Sequence, residues 1–357
     1  RVSRSSALTS KASGYPIARV SAKIAVGMNL DEIRLANTPA CFEPTLDYVV
    51  TKMPRFPFDK FPTASNFLST QMKATGEVMS VGRCWEESLQ KAIRSLEDGA
   101  YALRLPKFAD WSDVSLLDYA AKGPSDRIYA LGELLYRGMD LARICDATAI
   151  SIFFLSKLKN ITQFEKELEE NPGSLPHLKQ AKCLGFSDRR IAALWHTSER
   201  EIYETRCREN LFPVYKMIDT CASEFESYVP YFYSTYGGSE NESVVTDRKK
   251  VIVLGSGPIR IGQGVEFDYS TVHALRTIRS AGYEAIVINN NPETVSTDYT
   301  AADKLYFEPL TTEDVMNIIH LEKPQGVIVS LGGQTAVNLA QSLADRGVNI
   351  IGTDCAA

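Results

Sequence analysis

Residues 250 to 289 read KVIVLGSGPIRIGQGVEFDYSTVHALRTIRSAGYEAIVIN. Val251 to Leu254 is an unbroken apolar, mostly β-branched run, the pattern of a strand covered on both faces. Gly255 and Gly257 then let the chain turn sharply, because a residue without Cβ tolerates backbone conformations that others avoid. From Val265 onward Phe267, Val272, Leu275 and Ile278 recur near helical spacing, and Gly282 is a helix stop. A second apolar run follows at Glu284 to Asn289, so the stretch spells strand, glycine corner, helix and strand.

The same logic continues to the end of the chain. Strands are expected at Asp303 to Glu308, Gly326 to Leu331 and Val348 to Gly352, with helices at Thr312 to Leu321 and Gln334 to Ala344. Strands joined by crossover helices make a Rossmann-like parallel sheet with helices on both faces. Polar residues gather where the strands end, at Gly255 to Arg260, Asn289 to Glu293, Glu308 and Ser330 to Gln334. Ligands of open parallel sheets bind at that carboxyl edge, so these four ends form one candidate site. A dinucleotide fingerprint needs G-x-G-x-x-G, but the third glycine, Gly262, comes two places late and Pro258 lacks a backbone donor. Asn289, Asn290 and Asn291 stand where an acidic residue would end the second strand. Tight packing at the corner is the simpler reading; a free-standing dinucleotide-binding oxidoreductase is the alternative.

At 357 residues, 44% hydrophobic and 23% charged, the chain has room for two or three domains with cores of their own. No run approaches the ~18 apolar residues of a spanning helix, and residues 1 to 20 lack the apolar segment of a signal peptide. The chain reads as cytoplasmic, with no membrane partner. Cys41, Cys84, Cys145, Cys183, Cys207, Cys221 and Cys355 are scattered, with no C-x-x-C pair, and read as reduced thiols rather than zinc ligands. A net charge of -5 gives no support to nucleic-acid binding.

Arg1 to Ser10 is basic and hydroxyl-rich with no initiator methionine, which suggests a piece of something longer. Arg1 and Arg4 with Ser3, Ser5 and Ser6 offer donors for an oxyanion, although a solvated terminus explains their spacing as well. Lys11 to Gly27 is expected to be an amphipathic helix with Pro16 in its first turn, and Asn29 to Ile33 to open another. Tyr48 to Val50 and Thr75 to Gly82 suggest strands, and Cys84 to Leu96 a helix. From about Asp98 the strand signal fades. Asp126 to Tyr136, Asp140 to Ile150, Ser151 to Glu170, Leu178 to Leu184, Asp188 to Trp195 and Ser198 to Asn210 read as helices, so the fold class is α/β with an all-helical middle domain. Ile152, Phe153, Phe154 and Leu155 with the stripe Tyr129, Leu131, Leu134 and Leu135 read mostly as core, with some surface for a subunit interface.

Leu184 to Asn210 imitates a helix-turn-helix, which makes a DNA-binding protein a second alternative. Glu199, Glu201, Glu204 and Glu209 would face the nucleic acid, however, and a DNA reader needs a basic surface. His196 is a helix-end residue with no second ligand at metal spacing. Phe212 to Tyr236 is expected to pack along the helical module, and Gly237 to Lys250 to be a connector.

The runs GSGPIRIGQGVEFDY, NNNPETVSTDY, DKLYFEPLT and SLGGQTAVNLA resemble, in that order, the start of the second half of the large subunit of carbamoyl phosphate synthetase. RVSRSSALTSKASGYPIA and FEPTLDYVVTKMPRF are similar to the end of its first half. The resemblance implies three parts: residues 1–97 as the C-terminal part of the carboxyphosphate (first ATP-grasp) domain, 98–242 as the oligomerisation domain, and 243–357 as the pre-ATP-grasp start of the carbamoyl phosphate domain. It implies an ATP-dependent carbon–nitrogen ligase that makes carbamoyl phosphate from bicarbonate, two ATP and ammonia, for arginine or pyrimidine biosynthesis. A glutamine amidotransferase small subunit would deliver the ammonia, and the helical domain would self-associate. ATP and Mg or Mn would serve the intact subunit, with the metal ligands just upstream of Arg1 and neither a complete catalytic set nor a cofactor site in this chain, which alone would be inactive. By the same resemblance Arg1 lies near the first-site phosphate, and Arg4, Ser5, Ala7, Leu46, Gly264 and Glu293 line a tunnel, with Gly264 setting its width.

Overall fold

A computed structural model of the chain describes residues 4–35, 38–222 and 228–353, apart from the side chains of residues 4 and 5. It opens with helices α1 (Arg4–Ser13) and α2 (Ile17–Ala25). The single helix expected from Lys11 is therefore two, and the first begins seven residues earlier. Gly14, at φ +71°, stops α1, and Pro16 has no N–H with which to carry a helix through. Asn29 to Ile33 forms turns instead of a helix, with the Asn29 N–H donated to the Glu32 carboxylate at 2.8 Å.

Strands β1 (Val49–Arg55) and β2 (Gly76–Gly82) pair antiparallel, and α3 (Trp85–Ser95) packs on both. Seven helices follow: α4 (Asp113–Ala121), α5 (Arg127–Tyr136), α6 (Leu141–Thr148), α7 (Ile152–Glu170), α8 (Leu175–Cys183), α9 (Asp188–Leu194) and α10 (Glu199–Arg208). Side-chain caps start most of them. Ser112, Asp140, Ser151, Ser187 and Ser198 each accept a first-turn N–H, satisfying donors that a helix leaves open. Leu134, Leu155, Ile161 and Leu168 form the fully buried centre of this segment. Ile152, Phe153 and Phe154, read from the sequence as mostly core, are instead exposed at 51%, 56% and 46% on the first turn of α7. The helix-turn-helix geometry is present at α9 and α10. Its second helix buries Arg206 and exposes Glu201 and Glu204, and Glu209 is exposed just past its end.

The second half builds a six-stranded sheet from β3 (Val214–Met217), β4 (Tyr231–Thr235), β5 (Lys250–Leu254), β6 (Glu284–Asn289), β7 (Lys304–Phe307) and β8 (Gly326–Ile328). Between these strands run α11 (Glu266–Ser280) and α12 (Thr312–Glu322), and α13 (Gly333–Val337) and α14 (Ala340–Ala344) follow. The order is β3-β4-β7-β6-β5-β8, parallel except for the β3–β4 pair. Every residue of β4 to β7 is buried, as the continuous apolar runs require. Two expectations change here. Phe212 to Tyr236 does not simply pack along the helices but supplies the edge strand β3 and its neighbour β4. Val348 to Gly352 is no strand; Ile350 makes a single parallel bridge to Val327, because β8 is only three residues long.

Both sheet edges are covered. On β3 the Tyr215 N–H goes to the Asn241 side chain at 2.9 Å and the Met217 N–H to the Glu242 carboxylate at 2.6 Å. At β8, Val327 N donates to Asn349 O and Ile351 N to Val327 O, both at 2.9 Å.

Buried ion pairs join the helices to the sheet. Lys91 of α3 meets Glu308 at 3.0 Å, and Arg94 grips Asp314 of α12 with Nε and Nη2 at 2.9 and 3.0 Å. Lys182 of α8 bonds Asp188 at 3.0 Å and also Glu313 of α12, while Arg206 of α10 bonds both Asp188 oxygens. The side chains in this last cluster are all 5% exposed or less. Removing one partner of such a set strands the others in a dry interior. Lys182→Met should therefore cost about 3–5 kcal/mol, measured as a fall in the urea midpoint; a change under about 1 kcal/mol would refute this account of the seam.

Candidate functional site

Three of the four polar strand ends converge at the carboxyl edge of the sheet. Gly257 N donates to Asn289 Oδ1 at 3.1 Å, and Asn291 Nδ2 donates to Gly257 O at 3.0 Å. Gln263 Nε2 donates to Ser256 O at 2.7 Å and to Thr335 Oγ1 at 3.0 Å, tying the corner to α13. Glu308 turns away, its carboxylate held by Lys91 and by the Ser234 N–H. The corner has no spare room: a Cβ on Gly255 would stand 2.4 Å from Asn289 Cγ, and one on Gly332 2.3 Å from Gly255 O. Gly255 N is bonded to Ile288 O at 2.9 Å. A phosphate cradle needs outward N–H groups; at Gly255 and Gly257 they point into the fold, which favours the packing reading of this loop.

Glu97, just past α3, enters the same corner from the first segment. Its backbone is left-handed at φ +55°. Its Oε2 accepts from Thr335 Oγ1 at 2.7 Å and lies 3.4 Å from Arg260 Nη1. Its other oxygen reaches so close to Gly257 that a Cβ there would be 2.3 Å away. Burial pushes this carboxyl up to about 7, against the pull of Thr335 and Arg260. Nothing in the local sequence marks Glu97. Its role comes from a contact with Thr335, 238 residues along the chain.

A separate cavity of about 470 Å³ lies between α1 and the loop Pro292 to Thr300, with Ala7, Lys11, Glu293, Thr294, Thr297 and Asp298 in its lining. The loop is well braced. Asp268 of α11 accepts from Val295 N at 2.8 Å and Ser296 N at 3.0 Å, and Thr297 Oγ1 donates to Asn291 O at 2.8 Å. Across the cavity Lys11 Nζ donates to Thr297 Oγ1 at 2.7 Å and to Thr294 O, and sits 3.3 Å from Asp298. Burial lowers the Lys11 ammonium pKa, opposed by Asp298, Asp268 and Glu293.

Of the residues singled out from the sequence, Ala7 and Glu293 therefore face one cavity. Arg4 and Ser5 belong to the first turn of α1, which forms one wall, while their side chains and all of Arg1 lie outside the described residues. Leu46 is 44% exposed and Gly264 half-buried, and neither is in that lining. Gly264 N donates to Glu266 Oε1 at 3.1 Å. Among the described residues no three His, Cys, Asp or Glu side chains gather as a metal site, and no helix is long and apolar enough to cross a membrane.

Three family models match this chain in order: the ATP binding domain of the carbamoyl-phosphate synthase L chain over residues 1–33, the oligomerisation domain of the carbamoyl-phosphate synthetase large chain over 77–210, and the carbamoyl phosphate synthase preATP-grasp domain over 247–357. The chain belongs to the carbamoyl phosphate synthase large-chain family. Within this synthase chain, α1 and α2 fall in the ATP binding match, and the sheet from β5 onward falls in the preATP-grasp match. The cavity lies where those two parts meet. An ATP-dependent ligase family implies ATP with a divalent metal, but the glycine corner does not fit that group. The Gly255 and Gly257 N–H groups are consumed internally, and the carboxylate nearest the corner, Glu97, is already engaged by Thr335 and Arg260.

Glu97 also sets a pH dependence. Its folded pKa, about 7, lies above the ordinary 4.5, so the folded chain keeps a proton that the unfolded chain releases. Stability should fall as pH rises from 4.5 through about 7, by an amount on the order of 3 kcal/mol. Glu97→Gln should match wild type in urea unfolding at about pH 5 and exceed it at about pH 8; equal midpoints at both pH values would refute the assignment.

Proposed function

We propose that this chain forms the seam of a glutamine-dependent carbamoyl phosphate synthetase, which makes carbamoyl phosphate from bicarbonate, ammonia and two ATP. The observation that carries the reading is the cavity between α1 and the loop Pro292 to Thr300, with Ala7 on one wall and Glu293 on the other. Carboxyphosphate and carbamate both decompose in water, so an enzyme that makes carbamate at one site and phosphorylates it at another needs an enclosed route. Arg4, Ser5, Ala7, Leu46, Gly264 and Glu293 are the proposed wall of that route, and Arg1 stands beside the first-site phosphate. Glu293 would accept hydrogen bonds from ammonia or from the carbamate amine in transit.

The proposed parts are residues 1–97 from the carboxyphosphate domain, 98–242 as a helical oligomerisation domain and 243–357 as the start of the carbamoyl phosphate domain. In this division β3 and β4 of the middle part complete the sheet of the last. Self-association is supported by the oligomerisation match and by the exposed Ile152, Phe153 and Phe154. A glutamine amidotransferase small subunit supplies ammonia in this reading. ATP and Mg or Mn act in the intact cytoplasmic subunit, and the product feeds arginine or pyrimidine synthesis.

Gly264 tests the route. A Cβ there would meet only the Glu266 carboxylate, at 2.8 Å, the mobile end of a side chain, and its backbone is not left-handed. A larger residue should therefore fold. In the intact subunit supplied with glutamine, bicarbonate and ATP, wild type should yield carbamoyl phosphate, and Gly264→Leu should yield about tenfold less product per ATP hydrolysed. No product from wild type would sink the proposed activity, and an unchanged yield in the variant would sink the role of Gly264.

A further inference from the structure

We propose that Lys11 is a positioning residue that holds the two walls of this cavity in register and so governs how completely the unstable intermediate passes between steps; this rests on the reading of the cavity as a passage. An ammonium has three N–H donors and no acceptor. Lys11 has three oxygen partners, all on the opposite wall: Thr294 O, Thr297 Oγ1 and Asp298 Oδ1. The side chain is 11% exposed, so these contacts are not readily exchanged for water.

The two bodies that Lys11 joins are each fixed elsewhere. The loop is locked to α11 through Asp268. The C-terminal end of α1 is pinned by two phenols: Tyr231 donates to Lys11 O and Tyr48 to Ala12 O, both at 2.9 Å. Between those anchors, the Lys11 ammonium spans the gap beside Ala7 and Glu293. Its carbonyl faces the sheet and its side chain faces the loop, so one residue bonds to both structures that set the width of the cavity. The acidic groups around it are Asp298, Asp268 and Glu293.

Lys11→Met keeps the length of the side chain and removes all three donors, whereas Lys11→Arg keeps the charge and the donors. The deciding measurement is ATP hydrolysed per carbamoyl phosphate formed by the intact synthetase, with ammonium chloride as nitrogen source. Lys11→Met should raise that ratio about tenfold, and Lys11→Arg should restore much of it. A wild-type ratio in Lys11→Met, or equal impairment in both variants, overturns the proposal. If Lys11→Met does not fold, Thr297→Val removes one acceptor from the loop side and should raise the ratio in the same direction; an unchanged ratio there overturns it. Hydrogen exchange supplies a readout independent of activity. Residues 4–13 should exchange about tenfold faster in the Lys11→Met or Thr297→Val protein, and unchanged protection overturns the proposal even if the enzyme proves to make another product. Loosened protection with no carbamoyl phosphate from wild type would leave Lys11 as the clasp and count against the proposed activity alone.

Discussion

Asp188 is the point on which the packing of helices against sheet depends. It is a buried carboxylate that receives the ammonium of Lys182 and the guanidinium of Arg206, while Lys182 extends to Glu313 on the far side of the seam. Charges taken out of water are tolerable only with matched partners at bonding distance. Apolar faces could slide past one another at modest cost; this arrangement cannot, because a displacement of one helical turn would leave several ions unpaired. Lys91 with Glu308 and Arg94 with Asp314 repeat the rule along the same boundary. The helical segment thus meets the sheet in one register.

That register brings distant stretches to the glycine corner. Gly76, which opens β2, has no space for a Cβ because Ile259 O would lie 2.2 Å away. Glu97 arrives at the same corner from the end of α3 and takes a hydrogen bond from Thr335. The glycine-rich loop is therefore a meeting place for three parts of the chain. The absence of side chains there serves close backbone approach, and its N–H groups at Gly255 and Gly257 are spent on Ile288 and Asn289.

Much of the α/β half was legible in the sequence, because β5, α11, β6, β7 and α12 each carry their own periodicity and their own stops. What escaped depends on partners far away. The strand signal of Tyr231 to Thr235 is aromatic and lies in a stretch that reads as packing beside helices; it becomes a strand because β7 offers a parallel edge. Val348 to Gly352 has strand composition but finds only three residues of β8 to pair with. The start of α1 was hidden by a basic, hydroxyl-rich composition that also suits a solvated terminus. Among site residues, Ala7 and Glu293 came from family resemblance and face one cavity. Lys11 and Glu97 were invisible, since a lysine in a polar helix and an acid just past a helix end have no local mark. Thr297 and Thr335, which bond them, lie more than 200 residues away.

The treatment of the sheet edges bears on assembly. Asn241 and Glu242 occupy the outward N–H groups of β3, and the strand-like run at Asn349 to Ile351 occupies both main-chain groups of Val327. An open edge is a template on which another chain can polymerise strand by strand, and here that template is blocked at both sides. At this sheet, contact between copies is left to side chains. Such contacts depend on shape and can close into a finite assembly, whereas main-chain pairing could propagate without limit.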